Sequence, residues 1–157
     1  MLLFLITNIC NAYTKNDMNT QHHWYNEPQI VLCNDSHIPE NNIKTAINFW
    51  KNLGFKLNKE IIKKSCEEEF VSNEIRITGQ RDLDIKRYYG MTYRNYNQIG
   101  GNFYLDAATI KIDNNYTQDL DLIIHEIGHS LGVDHEEHDK SHIMHHLVVE
   151  SEITRHF

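Results

Sequence analysis

Apolar residues recur along the chain with two different periods, and each period predicts a different kind of element. The run Gln29–Cys33 is rich in residues that favour strands and predicts a first strand. Between Pro39, which suits a first helical position, and Gly54, which suits a helix end, apolar residues recur every three or four positions. This spacing predicts a long helix whose buried face consists of Ile43, Ala46, Ile47, Trp50 and Leu53.

The middle of the chain predicts further strands from shorter signals. Residues 55–57 predict a short second strand, and the charged stretch 61–69 predicts a connection with a solvated acidic run. Residues 74–78 alternate between polar and apolar positions, which predicts another strand. Ile110 and Ile112 extend a later strand, which follows residues 100–106.

A second helix is predicted after the polar residues 114–119. Thr117 is the expected N-cap, and Asp119 and Asp121 in the first turn favour the positive end of the helix dipole. The apolar positions of this helix predict a buried face made of Leu120, Ile123, Ile124, Ile127 and Leu131. After it we expect a small C-terminal subdomain, with a short final helix over residues 147–156.

The same helix carries histidines at the spacing of metal ligands. His125 and His129 are four residues apart, so they lie one turn apart on one face and can bind one metal ion. Gly132 can adopt the left-handed backbone that ends a helix, after which His135 can supply a third ligand. Glu126 lies about 100° round the helix and reaches the open side of the metal. Three neutral imidazoles leave the fourth position of tetrahedral zinc to water, as in catalytic sites.

Two interpretations of these residues compete, and the longer pattern separates them. A short H-E-x-x-H also fits a surface helix with two solvated histidines. However, Gly132 provides the turn and His135 the third ligand that a single metal site requires. The pattern H-E-x-x-H-x-x-G-x-x-H resembles that of the metzincin zinc endopeptidases. Met144, nine residues after His135, resembles the methionine turn that lies beneath the metal in this family. The short gap resembles the matrixins and their small microbial or viral relatives.

The resemblance implies a fold and an activity. The fold is α+β and metzincin-like, with a mixed twisted sheet, a backing helix, an active-site helix and a small C-terminal subdomain. The activity is that of a zinc-dependent endopeptidase in which His125, His129 and His135 bind the ion. Glu126 is then the general base that takes the proton of the zinc-bound water and passes it to the leaving amine. Met144 forms a hydrophobic floor.

Two other segments resemble parts of matrixins. Met91, Thr92 and Tyr93 resemble the edge strand to which a substrate adds as an antiparallel strand, and an ordinary exposed edge is the alternative. Residues 100–106 resemble a segment that helps to hold a structural ion in vertebrate-type matrixins. Asn102 stands where that segment has an aspartate, and the histidine-rich loop that holds a second zinc ion in those enzymes is absent. We therefore expect one catalytic Zn²⁺ and neither structural Ca²⁺ nor a second Zn²⁺.

His146 has two interpretations. It lies two residues after Met144, where astacins and serralysins carry a tyrosine that helps to stabilise the developing oxyanion. An imidazole at this offset can donate to the oxyanion or act as a further nitrogen ligand, which would make His146 an auxiliary residue. The alternative is a solvated histidine in a histidine-rich tail.

Length and charge narrow the class of protein. A chain of 157 residues with 40% hydrophobic and 24% charged residues suits one globular domain, which we place at 13–157. The formal net charge of -7 opposes binding to nucleic acids and anionic membranes. We therefore expect no nucleic-acid partner, no membrane span and a monomer, and the family resemblance implies protein or peptide substrates.

The N-terminus and the cysteines bear on localisation. Residues 1–12 hold a short apolar run that predicts a secretory signal cleaved after Ala12, while an N-terminal strand or the remnant of a longer leader are the alternatives. Secretion is also what the family resemblance implies. Cleavage would remove Cys10 and leave Cys33 and Cys66 as an even pair, for which a disulfide and two free thiols are equally good interpretations.

Two other functions fit parts of the sequence. A non-catalytic metal binder would use the histidines that cluster near the C-terminus, namely His135, His138, His142, His145 and His146. Such a protein has no use for Glu126. A zinc-dependent endoribonuclease of the bacterial rRNA-maturation type also has a three-histidine site, but it has glycine in place of Glu126, and its RNA substrate conflicts with the negative charge. The number of bound metal ions distinguishes the metal binder from the peptidase, because the peptidase should bind one zinc ion tightly and the metal binder several ions weakly.

Overall fold

A computed structural model describes residues 18, 20–80 and 88–146 of the chain. The described residues form five strands and two helices, which occur in the order β1 (Gln29–Cys33), α1 (Glu40–Asn52), β2 (Ile61–Lys64), β3 (Glu74–Gln80), β4 (Gly90–Ile99), β5 (Asn102–Asp113) and α2 (Leu120–Ser130). The strands join in one mixed sheet, so the class is α+β, as the sequence predicts.

The sheet has the strand order β2-β1-β3-β5-β4. The first four of these strands run parallel, and β4 runs antiparallel to β5. Central parallel strands are covered on both faces, and accordingly β3 is buried at Ile75 and Ile77 on one face and at Arg76 on the other. The strand β4 lies at one edge, which confirms that Met91, Thr92 and Tyr93 belong to an edge strand of the described sheet.

The prediction of a second strand at residues 55–57 is wrong, and so is the prediction of a connection throughout 61–69. Phe55 and Leu57 are buried, but they follow α1 without strand structure, and the ring of Phe55 packs edge-on against Trp50. The second strand is instead β2, which pairs with β1. Phe55 and Leu57 are apolar because they pack in the core. In contrast, β2 is an edge strand that is held by backbone pairing, and its Lys63 is exposed.

The predicted first helix is confirmed. It begins directly after Pro39, and Gly54 lies just beyond its end with a φ of 97°. Its buried face contains Ile43, Ala46, Ile47 and Trp50, while Leu53 is only partly buried. The Nε1–H group of Trp50 donates to the carbonyl oxygen of Ile124 at 2.8 Å, so α1 is fixed directly to the backbone of α2.

The second helix begins later than the sequence predicts. Its N-cap is Asp119, whose carboxylate accepts a hydrogen bond from the backbone N–H of Leu122 at 3.0 Å. The prediction of Thr117 as N-cap is wrong, because Thr117 is buried and its hydroxyl donates to the carbonyl oxygen of Asn114 in the preceding turn. The predicted apolar face is buried except for Leu120, which is partly buried. The helix contacts α1, β4 and β5, which explains why nearly all of its residues are buried.

Cys33 and Cys66 form a disulfide, which decides between the two interpretations of this pair. Their Cα atoms are 5.5 Å apart, within the usual range for such a bond. Cys33 ends β1, and Cys66 follows β2 by two residues. The bond therefore closes the segment that contains α1 and β2.

Some predictions lie outside the described residues, namely those for the leader at 1–12 and the final helix at 147–156. After α2, the described part of the C-terminal subdomain is a succession of turns up to His146. Across the described part of the chain, neither helix combines the length and the apolar character that a membrane crossing requires.

Candidate metal centre

The three predicted histidine ligands converge on one point. The distances between their Nε2 atoms are 3.0 Å for His125 and His129, 3.1 Å for His129 and His135, and 3.3 Å for His125 and His135. Nitrogen ligands at ~2.0–2.1 Å from a tetrahedral zinc ion are about 3.3 Å from one another. The residues present therefore fit a single zinc-sized ion with only a slight outward movement of the rings.

Backbone carbonyls orient two of these rings. The Nδ1 atom of His125 lies 2.8 Å from the carbonyl oxygen of Ile143, and that of His129 lies 2.8 Å from the carbonyl oxygen of Val133. A carbonyl oxygen only accepts, so each Nδ1 carries the hydrogen and each Nε2 keeps a lone pair directed at the centre. Both acceptors lie on the turns after α2, which therefore set the tautomer of the helical ligands.

Burial also keeps the ligands neutral. It lowers the pKa of His125 to about 4 and that of His129 to about 3, because a charged imidazolium is poorly solvated there. Burial lowers the pKa of His135 as well, although this side chain is more exposed. Neutral imidazoles are the form that binds a metal, so the centre is ready for an ion at neutral pH.

Gly132 forms the turn that brings the third histidine to the centre. Its φ of 89° is in the left-handed region, as the sequence predicts. A Cβ atom at this position would also lie 2.2 Å from the carbonyl oxygen of His22, so the turn has no room for a side chain. The segment around His22 is held in place by Trp24, whose Nε1–H donates to the carbonyl oxygen of Ser130 at 2.9 Å. The sequence does not predict this contribution from a distant segment.

Met144 lies fully buried beneath α2, in the position of a floor. Its backbone N–H donates to Nδ1 of His142 at 3.1 Å, and its carbonyl oxygen accepts from the N–H of Glu136 at 3.1 Å. A Cβ atom on Gly128 would approach the sulfur of Met144 to 2.5 Å and the ring of Trp50 to 2.4 Å. Gly128 is thus a site residue that sequence reasoning missed, although a glycine inside a helix is a signal of close approach.

Glu126 is buried beside the histidines. Its carboxylate oxygen Oε2 accepts a hydrogen bond from Oγ1 of Thr92 at 2.6 Å. Burial raises the pKa of this carboxyl to about 7, and the bond from Thr92 opposes the rise. A group that titrates near neutral pH can both accept and return a proton, which is what a general acid–base residue does.

The centre opens into a cleft of about 660 Å³ whose walls include Glu126, all three histidines and part of β4. Met91 and Thr92 line this cleft, as the edge-strand prediction requires. The ring of Tyr93 lies on the other face of β4, with Nζ of Lys111 4.8 Å from its centroid. Pairing of a substrate with this strand stays a prediction.

His146 lies at the rim of the same cleft. Its ring centroid is 6.2 Å from that of His135, and its Nδ1 atom is 3.0 Å from a carboxylate oxygen of Glu137. The side chain is about half exposed and lines the cleft, a position that fits both interpretations of this residue. Its auxiliary role stays a prediction.

A second cluster, made of Glu137, His145 and His146, also brings metal-binding atom types together. The rings of His145 and His146 are stacked, however, with centroids 4.7 Å apart and an angle of 19° between their planes. An imidazole binds a metal through a lone pair that lies in the plane of its ring, and two rings stacked face to face direct these lone pairs along separate planes and not at one ion. The arrangement therefore suits ring stacking and does not suit a second ion.

Comparisons with other proteins add no family. No model of a known protein family matches the chain, and a search of curated protein sequences gives no match. The likeness to metzincins therefore depends on the motif residues, and the geometry that they adopt is the basis on which a function has to be argued.

Proposed function

We propose that the protein is a zinc-dependent endopeptidase of the metzincin type, with a matrixin-like methionine turn. The observation that carries the proposal is the convergence of three imidazole Nε2 atoms, 3.0–3.3 Å apart, beside a buried carboxylate in an open cleft. Three imidazole ligands suit Zn²⁺ and leave one coordination position for a reactant, whereas structural zinc sites use four protein ligands.

The residues of the centre have different roles in the proposed peptide hydrolysis. His125, His129 and His135 hold the ion through their Nε2 atoms. When bound, zinc acts as a Lewis acid that lowers the pKa of water toward ~7 and polarises a carbonyl. Glu126 accepts the proton that the attacking water loses and transfers it to the leaving amine. In the metal-free protein, burial raises the pKa of Glu126 to about 7, so this carboxyl is more basic than an exposed one.

The proposed substrate is an extended segment of a protein or peptide. The edge strand β4 borders the cleft and leaves one row of backbone N–H and C=O groups without a neighbouring strand in the described sheet. A substrate that pairs with this row gains main-chain hydrogen bonds whatever its side chains. The scissile bond then lies across the cleft, within reach of Glu126.

The structure favours this function over the two alternatives. A metal-scavenging protein needs histidines free to bind several ions, but Nδ1 of His142 accepts the N–H of Met144, and His145 stacks on His146. An endoribonuclease needs a cationic surface for phosphate groups, and the net charge of -7 opposes this. Neither alternative explains a buried carboxyl at the centre.

The disulfide supports a proposal about localisation. Disulfides form and persist mainly in oxidising compartments, such as the cell exterior. The bond between Cys33 and Cys66 therefore favours secretion. Mass spectrometry of unreduced, alkylated protein from its natural source tests this, and two free thiols there would contradict it.

Cleavage profiling on a library of peptides tests the proposed function. We expect the zinc-loaded protein to hydrolyse internal peptide bonds, to lose this activity in a chelator and to regain it when zinc is restored. A His129→Ala variant, purified in the same way, controls for contaminating peptidases and should be inactive. Cleavage of no peptide by fully loaded protein would contradict the proposal, and cleavage of a structured RNA in parallel would favour the endoribonuclease.

A further inference from the structure

One face of the edge strand β4 touches the centre at successive positions. Gly90, Thr92 and Arg94 alternate along the strand with Met91 and Tyr93, whose side chains contact each other, so the first three lie on the same face. Gly90 and Thr92 contact Glu126, and Arg94 forms an ion pair of 3.4 Å with Asp134, the residue before the third histidine ligand. This face of the strand is therefore part of the centre as well as part of the cleft wall.

The contact between Thr92 and Glu126 is the closest of these. The distance of 2.6 Å from Oγ1 to Oε2 is that of a hydroxyl donating to a carboxylate. The backbone carbonyl oxygen of Glu126 is a second acceptor at 3.0 Å, so the hydroxyl is held at both ends of the same residue. The hydroxyl has a single hydrogen, so the shorter contact with the carboxylate is the main bond and the carbonyl oxygen shares it.

Gly90 leaves the space that this arrangement needs. A Cβ atom at position 90 would lie 2.8 Å from both Cγ and Oε1 of Glu126. The Glu126 side chain is therefore packed against the backbone of Gly90 while its other oxygen bonds to Thr92. The carboxylate is held between two residues of one strand.

We propose that Thr92 is a positioning residue, whose hydroxyl orients the Glu126 carboxylate toward a substrate paired with β4. This inference rests on the proposed peptidase function. Thr92 belongs to the strand that would align the substrate, so one element sets both the register of the scissile bond and the direction of the base. Small errors in such alignment are costly, since a displacement of about 1 Å can lower a rate by about 100-fold.

Replacing the hydroxyl without changing the shape of the side chain tests the inference. Thr92→Val is nearly isosteric and removes the donor, whereas Thr92→Ser keeps the donor. We expect Thr92→Val to lower kcat by about 10- to 100-fold with KM changed by less than about threefold, and Thr92→Ser to recover most of the loss. Thr78→Val makes the same chemical change on β3, where the hydroxyl bonds to Asp35 and Gly79 away from the cleft.

A second measurement keeps the inference separate from the proposed activity. Crystal structures of the zinc-loaded proteins should show the Glu126 carboxylate in one orientation in the wild type and Thr92→Ser, and rotated or disordered in Thr92→Val. An unchanged carboxylate in folded Thr92→Val, or a kcat within about twofold of the wild type, would overturn the positioning role. Wild-type protein that is inactive with a full zinc content would instead overturn the peptidase proposal itself.

Discussion

Burial of Glu126 makes the metal-free protein less stable as its carboxyl ionises. The pKa of this group is about 7 in the folded protein, above its ordinary value of 4.5, because burial disfavours the charged form. Between these two pH values the unfolded chain has released the proton while the folded chain still holds it. The contribution of Glu126 to stability is therefore present in full below pH 4.5 and is lost as the pH rises through about 7.

Glu126→Gln should reveal this cost, since glutamine stays neutral. We expect the free energy of unfolding of the metal-free variant, relative to that of the metal-free wild type, to increase by roughly 3 kcal/mol between pH 4.5 and pH 7 and then to level off. Urea denaturation at a series of pH values measures the difference, and Glu60→Gln provides an exposed carboxyl as a matched control. A difference that does not change with pH would contradict a carboxyl whose pKa is raised by burial.

Local spacing was sufficient to predict some residues of the centre and insufficient for others. His125, His129 and Gly132 follow from helix geometry and a left-handed stop, so a short stretch of sequence contains the whole signal. Thr92 was predicted only as part of an edge strand. Its partner Glu126 is 34 residues away, and only the path of the sheet brings the two together.

At the scale of elements, α2 contacts the turn that contains Met144 at one of its glycines, Gly128. Gly128→Ala adds a methyl group whose carbon would lie 2.4 Å from the ring of Trp50 and 2.5 Å from the sulfur of Met144. Alanine favours a helix over glycine by about 1 kcal/mol, but overpacking of a tight core contact costs about 1–3 kcal/mol, and both Trp50 and Met144 are fully buried. We expect a net loss of stability, with Met144 displaced.

Denaturation of the metal-free Gly128→Ala protein measures this effect. Asn48→Ala, on the exposed face of α1, is the control for helix propensity and should change stability by no more than about 0.5 kcal/mol. A Gly128→Ala variant as stable as the wild type, with Met144 in place, would show that the contact is looser than these distances indicate.

The elements differ in how far the sequence predicts them. α1 and α2 have strong apolar periodicity, because each buries a wide face, and both were predicted. β2 was missed, because an edge strand with two exposed central residues has no apolar alternation. The N-cap of α2 was misplaced at Thr117 because both threonine and aspartate suit that position, and the choice of Asp119 depends on the turn that precedes the helix.

At the scale of the whole molecule, the disulfide links the end of β1 to the chain beyond β2. It closes a loop with a sequence separation of 33 residues, which limits the unfolded chain more than the folded one. We expect the double variant Cys33→Ala, Cys66→Ala to lose about 3–4 kcal/mol of unfolding free energy and to keep its zinc content. Urea denaturation of the oxidised and the reduced wild type provides the matched measurement. If the double variant lost less than about 1 kcal/mol of unfolding free energy, this would contradict a stabilising role of the disulfide.

The whole fold brings three separate segments to one cleft. The edge strand β4 supplies Thr92, α2 supplies Glu126 and two histidines, and the turns beyond α2 supply His135 and Met144. Each segment also has contacts outside the cleft: β4 pairs with β5, α2 is bonded to Trp50 of α1, and Met144 is bonded to Glu136. Contacts of this kind position the groups of a site, and a catalytic site would depend on such positioning.

Zinc content and turnover measured together on Glu126→Gln test the central claim most directly. We expect one zinc ion per chain in both the wild type and this variant, with turnover lowered by about 10²- to 10⁴-fold, because the amide cannot accept the proton. His135→Ala should lose most of its zinc, while His138→Ala, at an exposed position, should keep it. A Glu126→Gln protein that binds no zinc, or that turns over peptides as fast as the wild type, would contradict the assignment of this centre as a catalytic one.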